Sequence, residues 1–312
     1  MMSTIEDLFE NSKIILTEGA YVERLKSEFN LKLDEHLNHA GLIYTHPDLL
    51  ESLYRQYLDI GQKYSLPMMV MTPTRKVNAE SLKKSIYGHK NVLEDSCRFL
   101  DSIRGTYGEY ASKIMIGGLM GCKSDAYNSS DALGKEESYH FHKIQADRLA
   151  KENIDFLFAG IMPEINEIIG MARAMAETNL PYIISFMIRK DGCLIDGTSI
   201  CDAIKIIDQA VDPAPTCYMT NCVHPANLRL ALSHPKNINR PELKRFKGIQ
   251  ANSSALSPEE LNNCTVLHCG DFEEMIDEMI DLYQHFDLKI FGGCCGTNDQ
   301  FIEKLSAQLS RL

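Results

Sequence analysis

Apolar residues in this chain follow two kinds of pattern. Short segments carrying apolar residues sit at 13–17, 67–72, 114–117, 154–159, 181–188, 216–220, 247–250 and 289–291. Runs this short, rich in Ile, Val, Phe and Met, read as strands buried on both faces. Between them lie longer stretches whose apolar residues recur every three or four positions. In 46–64, Leu49, Leu50, Leu53, Tyr57 and Ile60 form such a stripe behind His46-Pro47-Asp48, which opens a helix. Further helical signals cover 3–9, 78–100 with a break near Gly88, 138–153, 163–179, 199–211, 225–232, 258–260, 271–286 and 299–309. Segment 21–39 is polar and reads as a long loop or irregular helix, and 121–135 is a glycine- and serine-rich loop.

Strand runs alternating with helices through 312 residues predict an α/β fold, a single-domain (β/α)8 barrel spanning 1–312. In that fold the chemistry sits on loops that follow the strand C-termini. No linker or low-complexity segment divides the chain.

Composition adds constraints on partners. A formal net charge of −11 argues against nucleic acid or a membrane surface as the partner. No run of ~18 apolar residues is present to span a bilayer, and the acidic first ten residues carry no apolar signal core. A cytoplasmic protein acting on small molecules is the expectation. The chain stops soon after its last helix, which suggests a monomer or weak homodimer.

Ten cysteines are scattered along the chain, without the dense spacing of a disulfide framework. The exception is Phe291-Gly292-Gly293-Cys294-Cys295-Gly296-Thr297. Adjacent side chains of a regular strand point to opposite faces, so two neighbouring cysteines meet only on irregular backbone, which the glycines permit. An adjacent pair makes poor disulfide geometry and suits a soft metal. Zinc needs a further ligand. Cys222, in Asn221-Cys222-Val223-His224-Pro225 after the sixth strand, supplies a third sulfur at the same barrel mouth. Three thiolates leave the fourth position for substrate, as catalytic zinc sites do. Zinc would then hold a substrate sulfur as thiolate, the nucleophilic form. His224 reads as a loop histidine with a structural hydrogen bond, or else as a ligand that closes the site. His140 and His142 lie two apart and read as surface residues. Tyr44, Tyr127 and Tyr139 are candidates to cover an onium methyl group. Met68, Met69 and Met71 read as barrel packing.

At these residues the chain resembles the homocysteine S-methyltransferase family, in which Asn-Cys after one strand and Gly-Gly-Cys-Cys-Gly after the last bind zinc. The resemblance implies Zn2+ on Cys222, Cys294 and Cys295. It also implies transfer of a methyl group from a sulfonium or quaternary-ammonium donor to a thiol, homocysteine giving methionine. Glu18, Gly19, Asn221 and Asn252 fall at substrate-binding positions. The chain departs from the pattern in three places. Glu18-Gly19 stands for the Asp-Gly after strand one, Gly160 for the amine-binding Glu after strand four, and Thr72-Pro73-Thr74-Arg75 for a Thr-rich stretch after strand two. Zinc chemistry is expected intact and amino-acid recognition altered. The alternatives are a non-catalytic zinc or redox-sensing protein on the same barrel, and a methyl-transfer module serving a separate corrinoid protein.

Overall fold

The computed structural model describes residues 4–262 and 271–312. Parallel strands close into a barrel in sequence order: β1 (Ile15–Thr17), β2 (Met68–Met71), β3 (Ile114–Gly121), β4 (Phe156–Met162), β5 (Tyr182–Phe186), β6 (Cys217–Val223), β7 (Phe246–Ala251) and β8 (Ile290–Gly293). Helices such as Pro47–Lys63, Val92–Arg104, Lys135–Leu149 and Asp299–Leu309 form the outer layer. The (β/α)8 barrel expected from the apolar pattern is therefore the fold.

Alternation along each strand separates two cores. Met69, Met71, Met115, Phe156, Phe158 and Met219 fill the barrel interior, while Met68, Val70, Ile116 and Leu157 pack under the helices. The methionines of β2 are packing residues, as expected. At the N-terminal end, helix Ile5–Asn11 inserts Ile5 and Leu8 into the interior cluster. The Thr4 hydroxyl accepts the Asp7 N–H at 3.1 Å and the Asp7 carboxylate accepts the Thr4 N–H at 3.0 Å, a capping box that fixes this plug. The open end is the opposite one, where the cysteines lie.

The structure redraws several expected boundaries. Strands β3, β4 and β6 run on to Gly121, Met162 and Val223, because backbone pairing continues past the apolar residues that mark a strand in sequence. The stretch read as a long loop or irregular helix holds helix Val22–Ser27. The stretch 78–100 splits into helices Ala79–Lys84 and Val92–Arg104. At the break, a Cβ on Gly88 would lie 2.3 Å from the Leu82 carbonyl oxygen. Cys264 and Cys269 lie outside the described residues, as does the expected helix start at Ser3. Among the described residues no helix is long and apolar enough to cross a membrane.

Strand β8 closes on β1 at a point that admits no side chain. A Cβ on Gly292 would lie 1.9 Å from Thr17 Oγ1 and 2.9 Å from the Thr17 carbonyl oxygen. Gly292→Ala should therefore destabilise the barrel by ~2–3 kcal/mol, the cost of overpacking a site bounded by backbone. A urea midpoint equal to that of the native chain would show that β8 can draw away from β1 freely.

Candidate metal centre

Two backbone irregularities shape the barrel mouth. The register of β4 against β5 shifts between Ala159 and Met162, and that of β6 against β7 shifts between Asn221 and Val223. There Ile161 and Cys222 take positive φ angles of 56° and 65°, costly for residues that carry a Cβ. Asn221 joins the two irregularities: its Oδ1 accepts the Ile161 N–H at 3.0 Å and the Ser185 hydroxyl at 2.6 Å. Regular pleating would send Asn221 and Cys222 to opposite faces. The bulge brings both to one cavity wall.

The cysteine pair is set by main-chain bonds. The Cys294 N–H donates to the Ala251 carbonyl at 2.7 Å, and the Cys295 carbonyl accepts the Ser253 N–H at 3.0 Å. The Gly296 N–H donates to Glu23 Oε2 at 2.6 Å. Of the three glycines expected to supply unusual backbone, only Gly296 has a positive φ, 75°. Gly292 and Gly293 belong to β8 and serve close approach instead. A Cβ on Gly293 would lie 2.1 Å from Thr297 Oγ1.

The sulfurs of Cys222, Cys294 and Cys295 lie within 4.8 Å of one another, with Cys222 to Cys295 at 3.3 Å and Cys294 to Cys295 at 4.0 Å. A tetrahedral site with metal–sulfur bonds near 2.3 Å spaces its sulfurs by about 3.8 Å. The three sulfurs are of the donor type zinc takes and lie near that spacing. Thiols from Cys294 and Cys295 hydrogen-bond to Cys222, which pushes the Cys222 pKa well down against its burial. The same hydrogen bonds push Cys294 and Cys295 up. Around Cys222, Asn252 Nδ2 donates to Sγ at 3.4 Å and the Tyr127 hydroxyl lies at 3.3 Å. His224 is engaged elsewhere. Its Nδ1 accepts the Ala226 N–H at 3.2 Å and caps helix Pro225–Ser233, as expected of a structural loop histidine.

A cavity of about 720 Å³ opens beside these sulfurs. Glu18, Gly19 and Asn221 line it, while Asn252 is turned onto the cysteine. Of the three candidate tyrosines only Tyr127 lines it. Tyr44 hydrogen-bonds Asp95 and Tyr139 hydrogen-bonds Glu177. Tyr127 rides on loop 122–134, and buried Glu167 holds that loop at both ends. Its carboxylate accepts the Lys123 N–H at 2.7 Å and the Leu133 N–H at 3.2 Å. His142 Nε2 sits 3.1 Å from the same carboxylate and is buried, which corrects the expectation of a surface histidine. The loop path that delivers Tyr127 has no signal in the sequence. It depends on which face of helix Lys135–Leu149 packs inward.

The model of the family described as homocysteine S-methyltransferase matches residues 15–309. The chain belongs to this family. Among its relatives is Homocysteine S-methyltransferase YbgG of Bacillus subtilis, 19% identical over 98% of this chain and 98% of the relative. Homocysteine S-methyltransferase 2 of Saccharomyces cerevisiae is 21% identical over 84% of this chain and 81% of its own. The fold matches the crystal structure of the homocysteine methyltransferase MmuM from Escherichia coli in its oxidized form. That match has a TM-score of 0.74 at 18% identity and covers 96% of this chain and 98% of the other. The metallated form of the same enzyme matches with a TM-score of 0.73. The chain is thus an S-methyltransferase on a (β/α)8 barrel.

Within this S-methyltransferase, the buried acid among those lining the cavity is Glu18. It is 5% exposed and its Oε2 has no partner. Burial pushes its pKa up to about 8, against hydrogen bonds from backbone and from Gln250. At Gly160 a Cβ would lie 2.9 Å from Leu119 Cδ1, the end of a flexible apolar side chain, and 3.5 Å from Phe158 Cε1.

Proposed function

We propose that the chain binds zinc through Cys222, Cys294 and Cys295 and methylates the thiol of homocysteine from a sulfonium or quaternary-ammonium donor. The observation that carries this reading is the convergence of those sulfurs within 4.8 Å on the wall of a cavity, in a chain of this family. When bound, zinc would present the substrate sulfur as a thiolate, the form that attacks carbon.

The remaining roles belong to the protein. Glu18, buried with Oε2 unpartnered, would take the ammonium of the amino acid, and that cation would return its carboxyl to the charged form. With Leu119 in place of a second acid, recognition of the amine would rest on this one carboxylate. Tyr127 would stand over the sulfur and offer its ring to the methyl cation of the donor, while Asn252 and Tyr127 hold the Cys222 sulfur in place. In the transfer a new S–CH3 bond forms as the donor's S–CH3 or N–CH3 bond breaks in line, and the donor leaves neutral at that atom.

The test is a product assay on zinc-loaded protein with homocysteine and isotope-labelled S-methylmethionine or betaine. Labelled methionine is expected, with about one zinc per chain. Full metal loading with no methylated thiol from any donor and thiol tried would defeat the catalytic reading.

A further inference from the structure

Three cations line the mouth of the same cavity. Arg75 and Lys76 follow β2, and Lys26 comes from helix Val22–Ser27. Within the described residues none of their side chains makes an ion pair or hydrogen bond. By contrast Arg24, Arg104, Arg148 and Arg245 all face carboxylates.

The loop that carries Arg75 and Lys76 is rigidly seated. Buried Thr72 and Thr74 place their hydroxyls 2.7 Å apart, and Thr74 Oγ1 donates to the Leu119 carbonyl at 2.7 Å. Gln145 Nε2 and the Val77 N–H both donate to the Thr74 carbonyl, at 3.0 Å and 2.9 Å. The stem of Arg75 lies over Gly121, where a Cβ would be 2.6 Å from Arg75 Cγ. The guanidinium is thereby pre-positioned, which lowers the entropy lost on pairing.

The surroundings of these cations call for an anion. Next to them, His39 is buried with Nδ1 unpartnered, and burial and then Arg75 push its pKa down to about 4. Burial lowers the Lys76 pKa, and repulsion from Arg75 and Lys26 adds to this. Of the acids in the same cavity, Glu23 receives the Gly296 N–H and Asp125 receives the Tyr127 N–H, while Glu18 has a pKa of about 8.

We propose that Arg75, Lys76 and Lys26 form a carboxylate-binding subsite for the end of a substrate remote from its reacting sulfur or nitrogen. Which substrate carries that carboxylate, the thiol or the methyl donor, rests on the methyl-transfer reading; the anion binding itself does not. Arg75 supplies the planar fork that matches a carboxylate, and the two lysines add charge that moves with the ligand.

The experiment compares native protein with Arg75→Gln, Arg75→Gln/Lys76→Gln, Arg75→Lys and Gly121→Ala, all zinc-loaded and checked for an unchanged melting midpoint. Two substrate pairs are used: homocysteine against its carboxylate-free aminothiol, and betaine against tetramethylammonium. The kcat/KM preference for the carboxylate member of one pair should fall about tenfold in Arg75→Gln and further in the double variant. Arg75→Lys should restore part of it, and Gly121→Ala, which displaces the arginine stem, should lower it. The pair that responds identifies the source of the carboxylate. Calorimetry with L-methionine and its carboxylate-free amine gives a readout without turnover. The native chain should bind methionine about tenfold tighter, and Arg75→Gln should erase the difference. That result with no methyl transfer from any donor would sustain the subsite while the methyl-transfer reading falls. Turnover with no change in either pair, and equal binding of the two probes, would overturn the subsite.

Discussion

In the metal-free protein at pH 8, Glu18→Gln is expected to melt about 5 °C above the native chain, and at pH 4 the two should melt together. The buried carboxyl has a pKa of about 8 in the fold and an ordinary value near 4.3 in the unfolded chain. Between those values the folded chain holds a proton that the unfolded chain releases. Stability from this group is therefore complete at low pH and is lost as pH rises toward 8, by about 5 kcal/mol at most. Glutamine cannot ionise, so the variant escapes that loss. In a chain of this size each kcal/mol moves the midpoint by about 1–2 °C. The same variant should lose ten- to a hundredfold in kcat/KM for homocysteine, because a buried ammonium then lacks its acid. Melting curves from pH 4 to 9 check the first part and steady-state kinetics the second. Parallel pH dependences in the two proteins would show that Glu18 ionises as freely in the fold as out of it.

The second large effect is loss of metal from Cys222→Ser or Cys294→Ser. Structural zinc sites bind with roughly 10–16 kcal/mol, so removal of one of three sulfurs costs about 3–4 kcal/mol. Affinity should then fall by a factor on the order of a thousand, and turnover should fall with it. Cys97→Ser is the control. Cys97 is buried in the outer core, away from the sulfur cluster, and its replacement should leave metal content as it is. Metal analysis after dialysis, with turnover measured on the same samples, decides the matter. A fully loaded, active Cys294→Ser protein would remove that residue from the donor set.

Much of this was legible in the sequence, and the physical reasons are specific. Parallel strands buried on both faces read as continuous apolar runs, so most strands of the barrel announce themselves, β7 with Lys247, Gly248 and Gln250 the least. The cysteine pair is legible because adjacent thiols among glycines have few other uses. The irregular backbone at Ile161 and Cys222 is not legible, since neither residue type favours positive φ. Tertiary bonds from Asn221 impose it. The pairing of His142 with Glu167 depends on how two helices face each other, which spacing on one helix cannot reveal. The glycines of β8 were legible as special, though close approach to Thr17 and Thr297, and not backbone freedom, is what they provide.

The left-handed backbone at Cys222 separates two demands on one position. Glycine would sit there without strain, and any side chain costs on the order of 1 kcal/mol. Cys222→Gly should therefore yield a metal-free chain more stable than Cys222→Ser, although both lack the sulfur. Chemical denaturation of the two variants measures the difference. The chain keeps a thiol where folding alone would prefer no side chain, a cost in stability that the proposed role of its sulfur would offset.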